Sequence, residues 1–161
     1  MNELIMDWYD YNIWANERII DHLKTLPGEI FGKEVDLGFK SIAEVLGHIA
    51  SADEVWFARI KEDSLSFIKA VQFTDLEKAS SYFNNLHSQI HEYLFSIEKP
   101  QQIVKYKNTL GQEFQNSISE IIQQMVNHGT YHRGNISTIL RHLGYTGILT
   151  DYIVYLRMRG A

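Results

Sequence analysis

Residues 117–143 read SISEIIQQMVNHGTYHRGNISTILRHL, and this stretch decides the fold. Its apolar residues recur at intervals of three or four, which is the spacing of an amphipathic helix with one face against a core. Ser117 and Glu120 form an S-x-x-E pattern, typical of a capping box in which each side chain accepts a hydrogen bond from the other residue's backbone. The stretch therefore predicts a long helix that packs against other helices.

The same two signals recur elsewhere in the chain. Ser41 with Glu44 and Thr74 with Glu77 repeat the S/T-x-x-E pattern before periodic apolar runs, so each predicts a helix start. We expect four long helices and one short one, at about 2–25, 41–63, 74–98, 117–143 and 150–158.

A different pattern separates the third and fourth predicted helices. The stretches Ile103–Tyr106 and Glu113–Asn116 flank a turn that contains Asn108 and Gly111, which is typical of a β-hairpin. The expected fold class is therefore all-α: a four-helix bundle with a short β-hairpin between helices 3 and 4 and a short C-terminal helix. We expect residues 1–161 to form a single domain.

The composition excludes several kinds of function. The 161 residues include 7 histidines and no cysteine, so a transition-metal site would use histidine with Asp, Glu or water. The net charge of −5 argues against nucleic-acid binding, which needs a basic surface. There is no signal-peptide pattern and no apolar run long enough to cross a membrane, so we expect a cytoplasmic protein with no membrane partner.

His128 and His132 are the first candidate functional residues. They lie four positions apart, which places them about 40° apart on one helix face. His132 falls inside the apolar stripe of its helix and His128 falls on its edge. The pair could chelate one metal ion, or each buried ring could hydrogen-bond to a carbonyl or a carboxylate.

The other histidines provide a comparison and a missing ligand. His87 and His91 have the same spacing on the third helix, but their angular positions lean toward solvent, and His142 is also expected to be exposed. A metal site would need a third ligand, from His48 on the second helix or His22 on the first. Angular position slightly favours His22, so the residues alone leave this choice open.

Several other residues of the first two helices lie on apolar faces. Asn12 falls inside the apolar arc of the first helix, where it could orient a metal ligand or hydrogen-bond to a carbonyl. The second helix has an apolar arc wider than a bundle interior requires, which suggests an interface; Leu46, Ala50 and Phe57 widen it. Large aromatic residues of these helices are expected in the core, namely Trp8, Tyr11, Trp14, Trp56 and Phe57.

Four stretches together resemble the DinB/YfiT-like family. Their order and spacing match over essentially the whole chain, and the H-x-x-x-H-R-G element with an upstream G-H-I is the most specific part. One departure is the stretch before the last helix, GYTGILTD, which lacks the prolines that the family often has there. The matching stretches are YNIWANERI at 11–19, LGHIASADEVWF at 46–57, NHGTYHRGNI at 127–136 and DYIVYLR at 151–157.

The resemblance implies a function as well as a fold. It implies a four-helix bundle, often a homodimer, with three histidine ligands at His48, His128 and His132, and so selects His48 over His22. Members bind divalent metals such as zinc or nickel, and relatives are thiol-dependent transferases and isomerases. Our hypothesis is a metal-dependent enzyme that activates a low-molecular-weight thiol for transfer to an electrophilic small-molecule substrate.

Two alternatives come from different classes of protein. The first is a hydrolase that uses metal-bound hydroxide, although no clear general base is present, since Asp53 and Glu44 lean away from His48. The second is a non-catalytic stress-response protein that binds a metal or a small molecule.

Overall fold

The computed structural model describes residues 3–62 and 70–160, and these residues form a mostly helical structure. The predicted fold class is confirmed. The predicted starts of the first helix and of the domain, the predicted end of the second helix at 63, and residue 161 lie outside the described residues. The elements are α1 Glu3–Lys24, α2 Ile42–Ile60, α3 Leu76–Phe95, β1 Ile103–Lys107, β2 Glu113–Ser117, α4 Ile118–His142 and α5 Tyr152–Arg159, with a 3₁₀ turn at Gly28–Ile30.

Two of the three predicted helix starts have the expected cap. Ser117 and Glu120 form a complete capping box: the Ser117 N–H donates to the Glu120 carboxylate (2.8 Å), and the Glu120 N–H donates to the Ser117 hydroxyl (3.3 Å). At α2 the Ser41 hydroxyl accepts from the Glu44 N–H, but the Glu44 carboxylate accepts from the Lys40 N–H instead. Both helices therefore begin where the sequence predicts.

The predicted capping box at Thr74 and Glu77 is wrong. Asp75 is the N-cap of α3, and its carboxylate accepts from the Lys78 N–H at 2.9 Å. The Thr74 hydroxyl donates to the same carboxylate at 3.0 Å. A carboxylate accepts a charge-assisted hydrogen bond, which is stronger than the one that a neutral hydroxyl accepts, so the helix begins one residue later.

The four long helices pack so that α2 and α4 are neighbours. Helix α4 packs against α1 and α2, and α3 packs against the same two helices from the other side. The short helix α5 packs on α1, where Tyr155 meets Tyr11 and Ala15 in a small apolar cluster. The contact between α2 and α4 is important because all three predicted histidine ligands lie on these two helices.

The predicted β-hairpin is confirmed. Strands β1 and β2 pair antiparallel, with Ile103 opposite Ser117 and Lys107 opposite Glu113. In the turn, the Asn108 side-chain oxygen accepts from backbone N–H groups, and Gly111 takes a positive φ of 78° that side chains disfavour. Because β2 runs directly into Ser117, the hairpin delivers the chain to the N-cap of α4.

The core corrects one expectation about α2. Leu46, Ala50 and Phe57 are buried within the chain itself, so the residues that widen the apolar arc are covered by the chain's own elements and are not an exposed surface. The reason is that α2 is covered on several sides, by α3, α4 and β1. The expected core aromatics are confirmed: Tyr11 and Phe57 are buried, and the tryptophans are partly buried and pack against the core clusters.

The prediction for His87 is also wrong, whereas that for His142 is confirmed. His87 is only 3% exposed and its Nε2 lies 3.2 Å from the Asn16 amide nitrogen of α1, while His142 is exposed.

Among the described residues, no helix combines the length and the apolar character that a membrane-spanning segment needs.

Candidate metal centre

The structure brings His48 of α2 together with His128 and His132 of α4. Each histidine offers one ring nitrogen, and these three atoms lie within 4.8 Å of one another. The ring centroids are 4.3 Å apart for the two α4 histidines, and 4.4 and 5.0 Å from His48 to His132 and His128. The group is graded in exposure, since His132 is buried, His128 is partly buried and His48 is exposed. One side of the cluster therefore faces solvent.

The spacing of the ring nitrogens fits a transition-metal ion. The Nε2 atoms of His48 and His128 are 3.2 Å apart. Metal–nitrogen distances of about 2.0–2.1 Å in tetrahedral geometry place neighbouring ligand atoms roughly 3.3–3.4 Å apart. The distance between these two atoms is therefore close to that of a tetrahedral site, and all three ligand atoms lie within 4.8 Å of one another. Three protein ligands on a solvent-facing ion are typical of catalytic sites, which keep a coordination position open.

The electrostatics of the cluster keep the rings ready to bind a cation. Burial, and then the neighbouring His48, lower the pKa of His128 to about 4. The pKa of His132 is also lowered to about 4, by burial first and then by His128 and His48. Both rings are therefore neutral at pH 7 and have a lone pair available, because only the neutral imidazole is a ligand.

His132 is held in place by three neighbours. Its Nδ1 atom pairs with the side-chain amide of Asn135 at 3.1 Å. The rings of Phe39 and Tyr131 meet it edge-on, with centroids 5.3 and 5.0 Å away. With Nδ1 paired, Nε2 is the atom left for a metal. Asn135 was not among the residues predicted from the sequence, although its position three residues after His132 on one helix face was a usable signal.

His22 does not join the cluster. Its Nε2 lies 2.8 Å from the Thr146 carbonyl oxygen, so it ties α1 to the segment that precedes α5. Of the two candidates that the residues left open, His48 is the one that lies beside the α4 pair.

Arg133, next to His132, fastens α4 to α1. Its guanidinium is 1% exposed and donates to the side-chain oxygens of Asn12 (2.9 Å) and Asn16 (2.7 Å). Asn12 therefore bonds neither a carbonyl nor one of the three histidines, and it reaches the cluster only through Arg133. A side chain on Gly129 would meet Arg133 and Asn12 at 2.7 Å, so glycine makes room for this contact.

Asp53 interacts electrostatically with the buried Arg133 guanidinium. It is completely buried, and burial raises its pKa to about 7, while Arg133 and the Asn12 amide act in the opposite direction. A carboxylate enclosed in this way has no access to a substrate at the solvent-facing side of the cluster. Asp53 therefore does not supply the general base that a hydrolase needs, in agreement with the sequence analysis.

A cavity of about 450 Å³ opens beside His48. One wall is α2 and the opposite wall is the segment 70–73, which is fastened by the Val71 N–H donating to the Ser51 hydroxyl at 2.8 Å. Gly47 allows this close approach, since a side chain there would lie 2.3 Å from the Val71 carbonyl oxygen. The lining is Phe39, Ser41, Ala43, Glu44, His48, Ser51, Ala70, Val71, Gln72 and Phe73.

A larger cavity of about 570 Å³ lies at the β-hairpin, but it contains none of the three histidines. Its lining comes from residues 105–107 and 113–115 of the two strands. Of these two cavities, only the one beside His48 can serve a metal at the cluster.

Comparison with known proteins shows the family and the fold. The model of the DinB family matches residues 1–160. The chain belongs to the DinB family. It is 34% identical to Protein DinB of Bacillus subtilis (strain 168), in an alignment that covers 98% of this chain and 96% of that protein. The crystal structure of a DinB-like protein from Bacillus cereus is similar in fold, with a TM-score of 0.72, 18% identity, and coverage of 91% of this chain and 95% of the other.

Proposed function

We propose that this DinB family protein is a divalent-metal-dependent enzyme whose ligands are His48, His128 and His132. Zinc or nickel is the expected ion, since both accept imidazole nitrogen. The observation that carries the proposal is the convergence of three ring nitrogens, two of them from neutral rings, beside a solvent-facing cavity. A structural site would be closed by a fourth ligand, and among the described residues only these three potential ligands lie together.

The reaction we propose is transfer of a low-molecular-weight thiol to an electrophile. A divalent ion held by neutral ligands keeps its full charge and stabilises a coordinated thiol as the thiolate, which is the nucleophilic form. The chain has no cysteine, so the thiol has to come from a small molecule. The support for this reaction over others is the resemblance to the DinB/YfiT-like family, whose relatives include thiol-dependent transferases.

The chain's own residues would bind and orient the electrophile. Phe39 lines the cavity and also meets the rings of His48 and His132, with centroids 5.4 and 5.3 Å away. Phe73 and Val71 add apolar surface on the facing wall, so the cavity suits a small molecule with an apolar part. An electrophile held here would lie beside the exposed side of the cluster.

Hydrolysis through metal-bound hydroxide is the second candidate, and one observation favours it. Glu44 lines the same cavity as His48, which gives the site an exposed carboxylate that could act as a general base. Its side chain also accepts from the Lys40 N–H at 2.6 Å, which holds it at the cavity wall. Glu44→Gln should abolish hydrolysis while leaving thiol transfer largely intact.

The third candidate is a protein that binds a metal or a small molecule in a stress response without catalysing a reaction. It predicts metal binding with no turnover of any substrate. Three further statements stay predictions: a homodimer, a cytoplasmic location and no nucleic-acid partner. Exposed apolar side chains at and before α5 support a homodimer, which analytical ultracentrifugation can test; they are Leu149, Ile153, Leu156 and Met158.

The decisive experiment measures metal content by elemental analysis on untagged protein. We expect about one ion per chain in the wild type, and loss of that ion in His48→Ala, His128→Ala and His132→Ala. His22→Ala is the matched control, because His22 bonds a carbonyl outside the cluster. No metal after incubation with zinc and nickel would refute the metal site and every reaction proposed from it.

The metal-loaded protein is then tested with a panel of thiols and electrophiles. Conjugation that is lost in His128→Ala supports thiol transfer, and ester or amide cleavage that is lost in Glu44→Gln supports hydrolysis. Tight metal binding without conjugation or cleavage across the panel would support the binding protein and reject both enzymes.

A further inference from the structure

Asn135 differs from the other residues around the cluster because it pairs directly with a candidate ligand. Its side-chain amide lies 3.1 Å from Nδ1 of His132, the ring nitrogen that faces away from a metal bound at Nε2. No other described side chain makes such a contact with the cluster: Nδ1 of His128 is buried without a hydrogen-bond partner, and His48 is exposed. Asn135 is therefore the only described polar side chain placed to choose which nitrogen of His132 carries the proton.

The tautomer matters because a ring nitrogen that carries a proton cannot bind a metal. If Nδ1 accepts from the amide nitrogen of Asn135, the proton of the neutral ring is on Nε2, and that atom is blocked. If Nδ1 donates to the amide oxygen, Nε2 has a free lone pair directed at the cluster. The nitrogen is the amide atom nearest to Nδ1. Rotation of the planar amide by 180° exchanges its two ends within the same space.

The aromatic neighbours of His132 fix the position of its ring. The orientation of the Asn135 amide then determines which ring nitrogen carries the proton. Phe39 and Tyr131 both meet the ring edge-on, at interplanar angles of 89°. The ring therefore cannot turn over to exchange its nitrogens without displacing two aromatic neighbours. The amide of Asn135 is half-buried on the same helix and meets no such obstacle in the described contacts.

We propose that Asn135 is a positioning residue that presents its amide oxygen to Nδ1–H of His132 and so holds Nε2 unprotonated for a metal. This inference rests on the proposed function for its purpose, but the tautomer is a property of the metal-free protein. Asn135 acts through His132 and does not itself touch the metal or a substrate.

Two-bond ¹H–¹⁵N correlation spectra of histidine-labelled, metal-free protein show which nitrogen carries the proton. The His132 signal is assigned by its absence in His132→Gln. The wild type should show the proton on Nδ1, and Asn135→Asp, which can only accept, should show the same. In Asn135→Leu, which has the same number and branching of side-chain heavy atoms but no acceptor, the signal should move toward the Nε2–H form. A wild-type ring protonated at Nε2, or a signal unchanged in Asn135→Leu, would overturn the proposal.

Metal affinity is the second readout. Loss of a hydrogen-bond partner behind a metal-binding histidine typically lowers affinity by about 10–100-fold, and we expect this for Asn135→Leu. Asn127 is exposed on the same helix, next to His128, and gives matched controls. Asn127→Leu should bind as the wild type does, and Asn135→Asp should bind more tightly than Asn127→Asp, which adds the same charge without the contact. Equal affinities of Asn135→Leu and the wild type would contradict the proposal.

The two readouts separate the possible failures. A wild type that binds no metal would remove the proposed function, while the spectra would still report whether Asn135 sets the tautomer. A wild type that binds metal but whose affinity and tautomer do not depend on Asn135 would remove this inference alone. Asn135→Asp keeps the assay informative if Asn135→Leu fails to fold.

Discussion

The chain contains two pairs of histidines with the same four-residue spacing, and the two pairs lie in different surroundings. His128 and His132 of α4 face α2, where His48 completes a group of three. His87 and His91 of α3 are separated by their partners: His87 is buried and pairs with Asn16, whereas His91 pairs with Asp10 near the surface. Spacing on one helix therefore makes a pair available, and the neighbouring helix determines what the pair becomes.

The two pairs also differ in the hydrogen bonds that hold their helices to α1. The Arg133 guanidinium, directly after His132, is fastened to Asn12 and Asn16 of α1, so α4 is held in register while its histidines face α2. Asn16 also pairs with His87. This one residue of α1 therefore bonds both α4, through Arg133, and α3, through His87. On α3 the residue that bonds Asn16 is His87 itself. His87 is buried and is therefore not available to bind a metal or a substrate.

Loss of metal binding is the largest effect that separates the two pairs. His132→Ala should lower metal affinity by at least about 100-fold, because loss of a partner behind a ligand alone costs about 10–100-fold. His87→Ala and His91→Ala should leave the affinity within about threefold, and competition against a chelating indicator measures all three. Equal losses in both pairs would mean that α3 contributes to the site.

The pH dependence of folding stability should depend on the α3 pair, through His87, whereas metal binding depends on the α4 pair. Burial, and then Arg133, lower the pKa of His87 to about 4, below the 6.5 expected in the unfolded chain. Between these values the unfolded chain binds a proton that the folded protein does not, so stability from this residue is present above pH 6.5 and is lost as the pH falls toward 4. The full effect is roughly 3 kcal/mol, from about 1.4 kcal/mol for each unit of pKa.

His87→Gln tests this, because glutamine keeps an acceptor for Asn16 but does not titrate. Urea unfolding between pH 4 and 7 should give a shallower pH dependence for this variant than for the wild type. His128 and His132 also have lowered pKa values in the metal-free protein, and their contribution is common to both samples. Parallel curves would show that protonation of His87 does not limit stability.

The register of α4 is tested by its two glycines. In Gly129→Ala the new methyl group would meet Arg133 and Asn12 at 2.7 Å, whereas a side chain on Gly134 would meet nothing within 4 Å. We expect Gly129→Ala to reduce the free energy of unfolding by about 1–3 kcal/mol through overpacking. Gly134→Ala should raise it by roughly 0.5–1 kcal/mol, since alanine favours the helix.

Thermal and urea denaturation measure both variants, and metal affinity shows whether the register affects the site. A stable Gly129→Ala variant would mean that the Arg133 contact can shift without cost. A destabilised Gly134→Ala variant would mean that this face of α4 is covered by a partner.

Most of the fold could be predicted from the sequence because its signals are local. Periodicity located the helices, and Asn108 and Gly111 located the hairpin, because turn chemistry and helix faces depend on near neighbours in the chain. The error at Thr74 has a local origin as well. The S/T-x-x-E pattern does not weigh an adjacent carboxylate, and Asp75 accepts the stronger hydrogen bond.

The site could be predicted only in part because its geometry is not local. The pair on α4 follows from spacing, but His22 and His48 could not be separated by their angular positions. Both α1 and α2 pack on α4, and the choice depends on which of their histidines faces the α4 pair. His87 was misplaced for the same reason. Tyr9 and Asn16 of α1 meet the His87 ring, and the apolar stripe of α3 contains no information about those neighbours.

The smallest change in the free energy of unfolding is expected for His91. A small change would show that only His87 of the α3 pair contributes to the packing of the core. Nε2 of His91 lies 3.1 Å from the Asp10 carboxylate, with both side chains about two-fifths exposed at 42% and 39%. Exposed pairs contribute about 0–1 kcal/mol because water and salt screen them, so His91→Ala should change the free energy of unfolding by no more than about 0.5 kcal/mol. Urea unfolding at low and high salt measures it. A larger loss that persists at high salt would mean that His91 is part of the packing of α1 on α3, and both members of this pair would then be structural.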